Sequence, residues 1–192
     1  MRIHGGDPGE AMARHGGAPE DWLDLSTGIN PMPYPLPGIP ARAWASLPPE
    51  RESAALEDAA RAAYGTRAQA VALAGAQAAI QLVPHLGRGG AARVLGPTYE
   101  EHAGALADAG WQVTQVREVA ALAGADLAIV VNPNNPDGRR HAPDDLLALA
   151  GRVGLLVVDE SFADAAPALS LAPHLAPDAE GVLVLRSFGK FY

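Results

Sequence analysis

Leu127-Ala128-Ile129-Val130-Val131-Asn132-Pro133-Asn134-Asn135-Pro136-Asp137-Gly138 is the stretch on which the fold turns. Five apolar residues run without a polar interruption and stop at a dense turn signal of Asn, Pro, Asp and Gly. A strand of this kind has both faces covered, as in a parallel sheet. The same pattern recurs on either side. Leu155–Val158 is an apolar strand ending at Asp159, and Val182–Leu185 is another ending near Ser187. Gln112–Val116, Arg93–Gly96 (broken by Pro97) and Val71–Ala74 read as further strands. Helices are predicted between them: from Ser53 as N-cap to about Tyr64, Ala76 to Leu86, Glu100 to Ala109 closed by Gly110, and Pro143 to about Arg152. The alternation predicts an α/β fold of three layers, a mostly parallel sheet flanked by helices.

Residues 1–50 differ. Gly and Pro are dense there, and Met32-Pro33-Tyr34-Pro35-Leu36-Pro37-Gly38 cannot continue a helix or a central strand. They read as an extended N-terminal arm, with the core-forming domain at 51–192. The length of 192 residues suits one such domain plus an arm. A net charge of −8 argues against a general nucleic-acid binder, which needs a basic face. No cysteine is present, so neither a disulfide framework nor a Cys-ligated metal is expected, and the six histidines show no metal-ligand spacing. The start of the chain has no apolar signal-peptide core, and no apolar run is long enough to span a bilayer. A cytoplasmic protein with no nucleic-acid partner and no membrane span is expected.

In parallel α/β sheets, ligands bind outside the carboxyl ends of the strands. The unusual polar residues fall there: Gly75-Ala76-Gln77, Thr98-Tyr99, Asn132 to Asn135, Asp159, and Ser187 to Lys190. Lys190 is the only lysine among 14 Lys and Arg residues. Arginine cannot serve as a Schiff-base amine, since its guanidinium stays charged; the bland alternative is a surface lysine. Asp159 at a strand mouth suits pairing with a pyridinium nitrogen; alternatively it caps a helix or solvates a loop, a role Glu160 could share. An asparagine amide in the 132–138 turn is a neutral donor, although most Asn-Pro turns only turn. Free N–H groups opening the helix after Gly75 form a potential phosphate cradle. Tyr99 is either core or a stacking platform for a planar heterocycle. Gly87-Arg88-Gly89-Gly90 precedes a strand, so it is not a dinucleotide fingerprint.

Together these motifs resemble the fold-type-I pyridoxal-phosphate enzymes of the class I/II aminotransferase superfamily, in order throughout residues 70–192. The carrying segments are Asn132 to Gly138, Val158-Asp159-Glu160-Ser161-Phe162 and Arg186-Ser187-Phe188-Gly189-Lys190-Phe191-Tyr192. His4-Gly5-Gly6-Asp7 and Leu25-Ser26-Thr27-Gly28-Ile29-Asn30-Pro31 look like the arm of the threonine-phosphate decarboxylase branch of cobalamin biosynthesis, near the histidinol-phosphate aminotransferases. Phe162 fits that branch, where the aminotransferases usually carry tyrosine.

The resemblance implies pyridoxal 5'-phosphate as cofactor, with Lys190 as the catalytic residue that holds it covalently. It further implies Asp159 on the pyridine nitrogen, Asn135 on the ring hydroxyl and Tyr99 stacked on the ring. Ala76, Gln77 and Ser187 would hold the phosphate, and His4 and Asn30 would lie over the substrate. The implied activity is decarboxylation of L-threonine O-3-phosphate, a phosphorylated amino acid, to aminopropanol phosphate. Histidinol-phosphate-type transamination and an inert fragment are the alternatives. A homodimer is implied for the full-length protein. Gly189 stands where many relatives have Ser or Thr, and Leu47-Pro48 where aminotransferases have Tyr-Pro. The family's chains continue past the lysine into a small C-terminal domain, so this chain reads as truncated and inactive alone.

Overall fold

The computed structural model describes residues 5–191. Its centre is the quoted strand: Leu127–Val131 is buried at every position. A strand buried on both faces must sit between two layers, and the next strand along does the same, with Leu156 to Asp159 buried. Five strands form one sheet: β1 (Ala91–Leu95), β2 (Gln112–Val116), β3 (Leu127–Val131), β4 (Leu155–Asp159) and β5 (Val182–Leu185). Their order is β2-β1-β3-β4-β5, and every pairing is parallel. The register aligns Val131 with Asp159, and Asp159 with Leu185, so the carboxyl ends of β3, β4 and β5 lie side by side.

Side chains alternate along the strands and split the core in two. One layer joins Ala92 and Val94, Leu127 and Ile129, Val157, and Leu185 to Ile80, Val83, Ala105, Leu106 and Trp111. The other joins Ala128 and Val130, Leu156 and Val158 to Leu122, Leu146, Leu149, Leu171 and Leu175. We call these the near and far faces. Burying each Leu, Ile or Val of this core stabilises the fold by roughly 1.5–3 kcal/mol. The near face is covered by α4 (Ala76–Leu82) and α5 (Glu100–Asp108), the far face by α6 (Pro143–Ala150). In α5, Glu101, His102, Ala105 and Leu106 are buried, a stripe at helical spacing.

Elsewhere the structure departs from the sequence reading. The arm is not simply extended: it contains α1 (Pro8–His15) and the short α2 (Arg42–Ala45). The signals of α1 are local. Asp7 accepts from the Gly9 N–H at 3.0 Å, Pro8 takes the first turn, and Arg14 pairs with Glu10 at 2.7 Å. Helix α3 spans Glu50–Ala63 with Pro49 at its N-cap, so Ser53 lies inside it. Val71–Ala74 is not a strand, and Val71 is 75% exposed. The Ala72 N–H is satisfied by the Glu57 carboxylate at 3.1 Å, not by a ladder. Helix α4 stops at Leu82 and passes into a 3-10 turn, Val83–His85, containing Pro84. Proline there brings no N–H and crowds the preceding turn.

Candidate active site

The order of the sheet reverses between β1 and β3, so the chains leaving these two strands diverge and open a crevice. The loops that line it brace each other. Thr98 Oγ1 donates to Asn134 Oδ1 at 2.7 Å, and Asn134 Nδ2 donates to the Pro97 carbonyl at 2.9 Å.

Asp159 and Glu160, adjacent in sequence, serve opposite faces. Asp159 has the parity of Val157 and points to the near face, where it meets His102 of α5. Glu160 points the other way and is held by Ser170, Leu171 and Arg186. The two carboxylates therefore do not share a role.

Asp159 is buried, 3% exposed. Its Oδ2 lies 2.8 Å from His102 Nε2, and its Oδ1 accepts from the Ser161 N–H at 2.9 Å and hydroxyl at 2.6 Å. Burial alone would raise its pKa. The hydrogen bond and charge of His102, with the two Ser161 donors, outweigh that and hold it below the ordinary carboxylate value. An ionised carboxylate only accepts, so His102 Nε2 carries the proton of their bond. A carboxylate has about four acceptor positions. Three are used here, leaving one for a further donor.

The asparagine turn divides in two. Asn132, fully buried, donates to the His141 and Leu169 carbonyls and accepts from the His141 N–H. Asn134 bridges to Pro97, Thr98 and Asp137. Asn135 makes no side-chain hydrogen bond among the described residues, so its amide is available to a ligand.

Lys190 follows β5. Its ammonium stands 5.8 Å from the centre of the Phe162 ring and pairs with no carboxylate among the described residues. The turn before it is closed by the Gly189 N–H donating to Ser187 Oγ at 3.1 Å. The arm straps this loop: the Asn30 N–H donates to the Lys190 carbonyl at 2.9 Å and Asn30 Nδ2 to the Phe191 carbonyl at 2.6 Å. Asn30 Oδ1 accepts from the Met32 N–H at 2.9 Å, so this side chain is engaged by the chain itself. Gly28 touches Phe162 so closely that a Cβ would lie 2.7 Å from Cε1. His4 lies outside the described residues.

Gly75 caps α4 at φ +85°, with open space where a Cβ would stand. The N–H groups of Ala76 and Gln77 head the helix, where no intrahelical acceptor exists. The Gln77 side chain donates to Glu101 at 2.8 Å, tying α4 to α5 beside His102. Tyr99, the N-cap of α5, meets His102 edge-on with ring centres 6.3 Å apart. A chain of contacts thus runs Tyr99–His102–Asp159 on one side and Phe162–Lys190–Asn30 on the other.

These residues fit pyridoxal phosphate on observations independent of likeness. Asp159 is held in its ionised form with an acceptor position open, Gly75 leaves space at a helix start, and among the described residues the Asn135 amide is free and Lys190 lacks a carboxylate partner. Sequence reasoning missed His102 and Ser161. A histidine three residues after Tyr99 in a nine-residue amphipathic helix was the available signal, and the metal-spacing test does not address it.

A parallel α/β sheet with a buried carboxylate at one strand end and a lysine just beyond the next defines a fold-type-I large domain. The aminotransferase class I and II family model matches residues 41–192, and the chain belongs to that family. It is 48% identical over 197 residues to a threonine-phosphate decarboxylase of a Sinorhizobium sp, covering 99% of this chain and 59% of that protein. Against a threonine-phosphate decarboxylase of Pseudomonas aeruginosa the identity is 47% over 199 residues, covering 100% of this chain and 59% of that protein. The chain therefore spans about three fifths of these relatives' length. Its fold resembles a histidinol-phosphate aminotransferase of Sinorhizobium meliloti, solved with pyridoxal-5'-phosphate. The TM-score is 0.51 at 23% identity, over 60% of this chain and 36% of that one.

Proposed function

We propose that this chain is the cofactor-binding part of a pyridoxal-phosphate-dependent decarboxylase acting on L-threonine O-3-phosphate. The substrate reading is supported by the two relatives that match along essentially the whole chain, both threonine-phosphate decarboxylases. The observation that carries the cofactor reading is the buried Asp159–His102 pair at the mouth of β4, with an acceptor position to spare.

Pyridoxal phosphate supplies a protonated ring that accepts the electron pair left when carbon dioxide departs from the substrate's Cα. The chain's residues support this in separate ways. Asp159, kept ionised, would hold a proton on the ring nitrogen. His102 and Ser161 fix its two oxygens so that it need not reorganise. Lys190 Nζ would hold the cofactor covalently and would supply the proton at Cα. Asn135 would donate to the ring hydroxyl and Tyr99 would cover a ring face. The Ala76 and Gln77 N–H groups, with the Ser187 hydroxyl, would hold the phosphate. Phe162 gives Lys190 an apolar neighbour without a hydroxyl.

The full-length protein incubated with threonine phosphate should release carbon dioxide. Release of a keto acid with 2-oxoglutarate as acceptor would instead make it an aminotransferase of the histidinol-phosphate type. The proposal includes a cytoplasmic homodimer. Among the described residues no helix is long and apolar enough to cross a membrane. Leu25, Met32, Trp44 and Leu47 of the arm expose large apolar side chains of the kind a partner subunit covers.

A further inference from the structure

A second charged cluster lies on the far face of the sheet, behind the site. Arg186 directly follows β5, four residues before Lys190. Its Nη1 donates to Glu160 Oε2 at 3.0 Å and its Nη2 to Asp164 Oδ1 at 2.6 Å. Nη1 also lies 3.4 Å from Ser170 Oγ, and the guanidinium carbon stands 4.2 Å above the Tyr64 ring. Glu160 is wholly buried and also accepts from the Ser170 hydroxyl at 2.6 Å and the Leu171 N–H at 2.5 Å.

A buried ion pair of this kind is a poor stability device, because desolvation offsets most of its attraction. Arg186 Nε is buried without a hydrogen-bond partner among the described residues. The guanidinium is therefore placed by its two carboxylates and Tyr64, not by satisfaction of all its donors. What the cluster accomplishes is registry. It joins the end of β4, the turn at 163–165, Ser170–Leu171 and the end of α3 at the single residue that leads into the lysine turn. The Glu160 N–H also donates to the Leu185 carbonyl at 2.9 Å, locking the two strand ends together. Asp159 is one residue from Glu160, and only Ser187–Gly189 separate Arg186 from Lys190.

We propose that Arg186 is a positioning residue: its clamp by Glu160 and Asp164 behind the sheet fixes where Asp159 and Lys190 stand in front of it. The inference rests on the cofactor reading above. It requires arginine, since an ammonium is a compact point charge that cannot fork between two carboxylates while stacking on a ring.

The test uses the full-length protein and pyridoxal phosphate. Asp164→Asn removes the more exposed carboxylate and leaves the buried pair intact. Arg186→Lys keeps the charge and loses the fork. Cofactor affinity and the pH midpoint of the yellow absorbance of the lysine-linked cofactor are measured, beside the melting temperature of the cofactor-free protein. Both variants are expected to bind the cofactor about tenfold more weakly, as small misplacements at a site do, and to move the pH midpoint. Wild-type affinity and midpoint in both variants, whatever the melting temperature, would reduce Arg186 to a structural brace and overturn the proposal. Wild-type protein that never turns yellow would overturn the cofactor reading itself, and this inference with it.

Discussion

His102 Nε2 and Asp159 Oδ2 stand 2.8 Å apart, both buried, on elements 57 residues apart in the chain. The imidazole is a ring donor on the strand-end carboxylate, and it comes from the helix whose N-cap is Tyr99. Two consequences can be measured.

The first concerns pH. The folded pKa of Asp159 is depressed below the ordinary 3.8. Its contribution to stability is therefore full above that ordinary value and lost as pH falls through the depressed one. In acid-unfolding curves, wild type should lose stability relative to Asp159→Asn only below about pH 4. A difference that already disappears between pH 5 and 7 would refute the depressed value.

The second concerns His102→Phe. The ring volume is kept, but the buried carboxylate loses a donor. A loss of about 1–3 kcal/mol is expected in denaturant unfolding. The Asp159 pKa should rise towards its ordinary range, visible by NMR titration.

Asn132 and Asn135 lie in one turn but should respond differently to alanine. Asn132→Ala removes three part-buried hydrogen bonds and should cost about 1–3 kcal/mol of stability. Asn135→Ala should leave stability within about 0.5 kcal/mol and weaken pyridoxal phosphate binding instead. Equal melting temperatures for the two variants would contradict this division.

Gly28 and Phe162 are coupled by contact. A methyl at 28 meets the ring, so Gly28→Ala should destabilise the strap by roughly 1–3 kcal/mol. Phe162→Leu, which shortens the side chain, should recover much of that loss in a double-mutant cycle. Strictly additive effects would show that the two residues do not touch in solution.

Borohydride reduction followed by peptide mapping should place the cofactor on Lys190. Lys190→Ala should abolish both the adduct and the yellow absorbance, while stability stays within about 0.5 kcal/mol because this side chain makes no ion pair among the described residues. An adduct surviving that substitution would locate the chemistry elsewhere.

Several strands were legible from local signals: Leu127–Val131 at the centre of the sheet and Val182–Leu185 at one edge have the bounds their apolar runs suggest, and Gln112–Val116 at the other edge has the bounds its flanking residues suggest. Val71–Ala74 has the same composition without a neighbouring strand to pair with, and pairing is a tertiary fact. Helix α1 was hidden by the Gly and Pro around it, although Asp7, Pro8 and Gly16 are good boundary residues. In the proposed site, local motifs single out Asn135, Asp159 and Lys190 from the sequence. His102 and the Glu160–Arg186 pair were not legible, because their meaning depends on which face of which element they occupy.

The opposite orientation of Asp159 and Glu160 makes β4 a ruler with two-residue graduations. Slipping the strand by one residue against β3 would deliver Glu160 to the crevice and bury Asp159 against Arg186. The longer carboxylate would crowd His102, and the shorter one would fall short of the guanidinium. A single insertion or deletion within 155–160 would exchange the near-face carboxylate for the bracing one. Engineers grafting this site onto another sheet should therefore transfer Leu155 to Ser161 as one indivisible cassette.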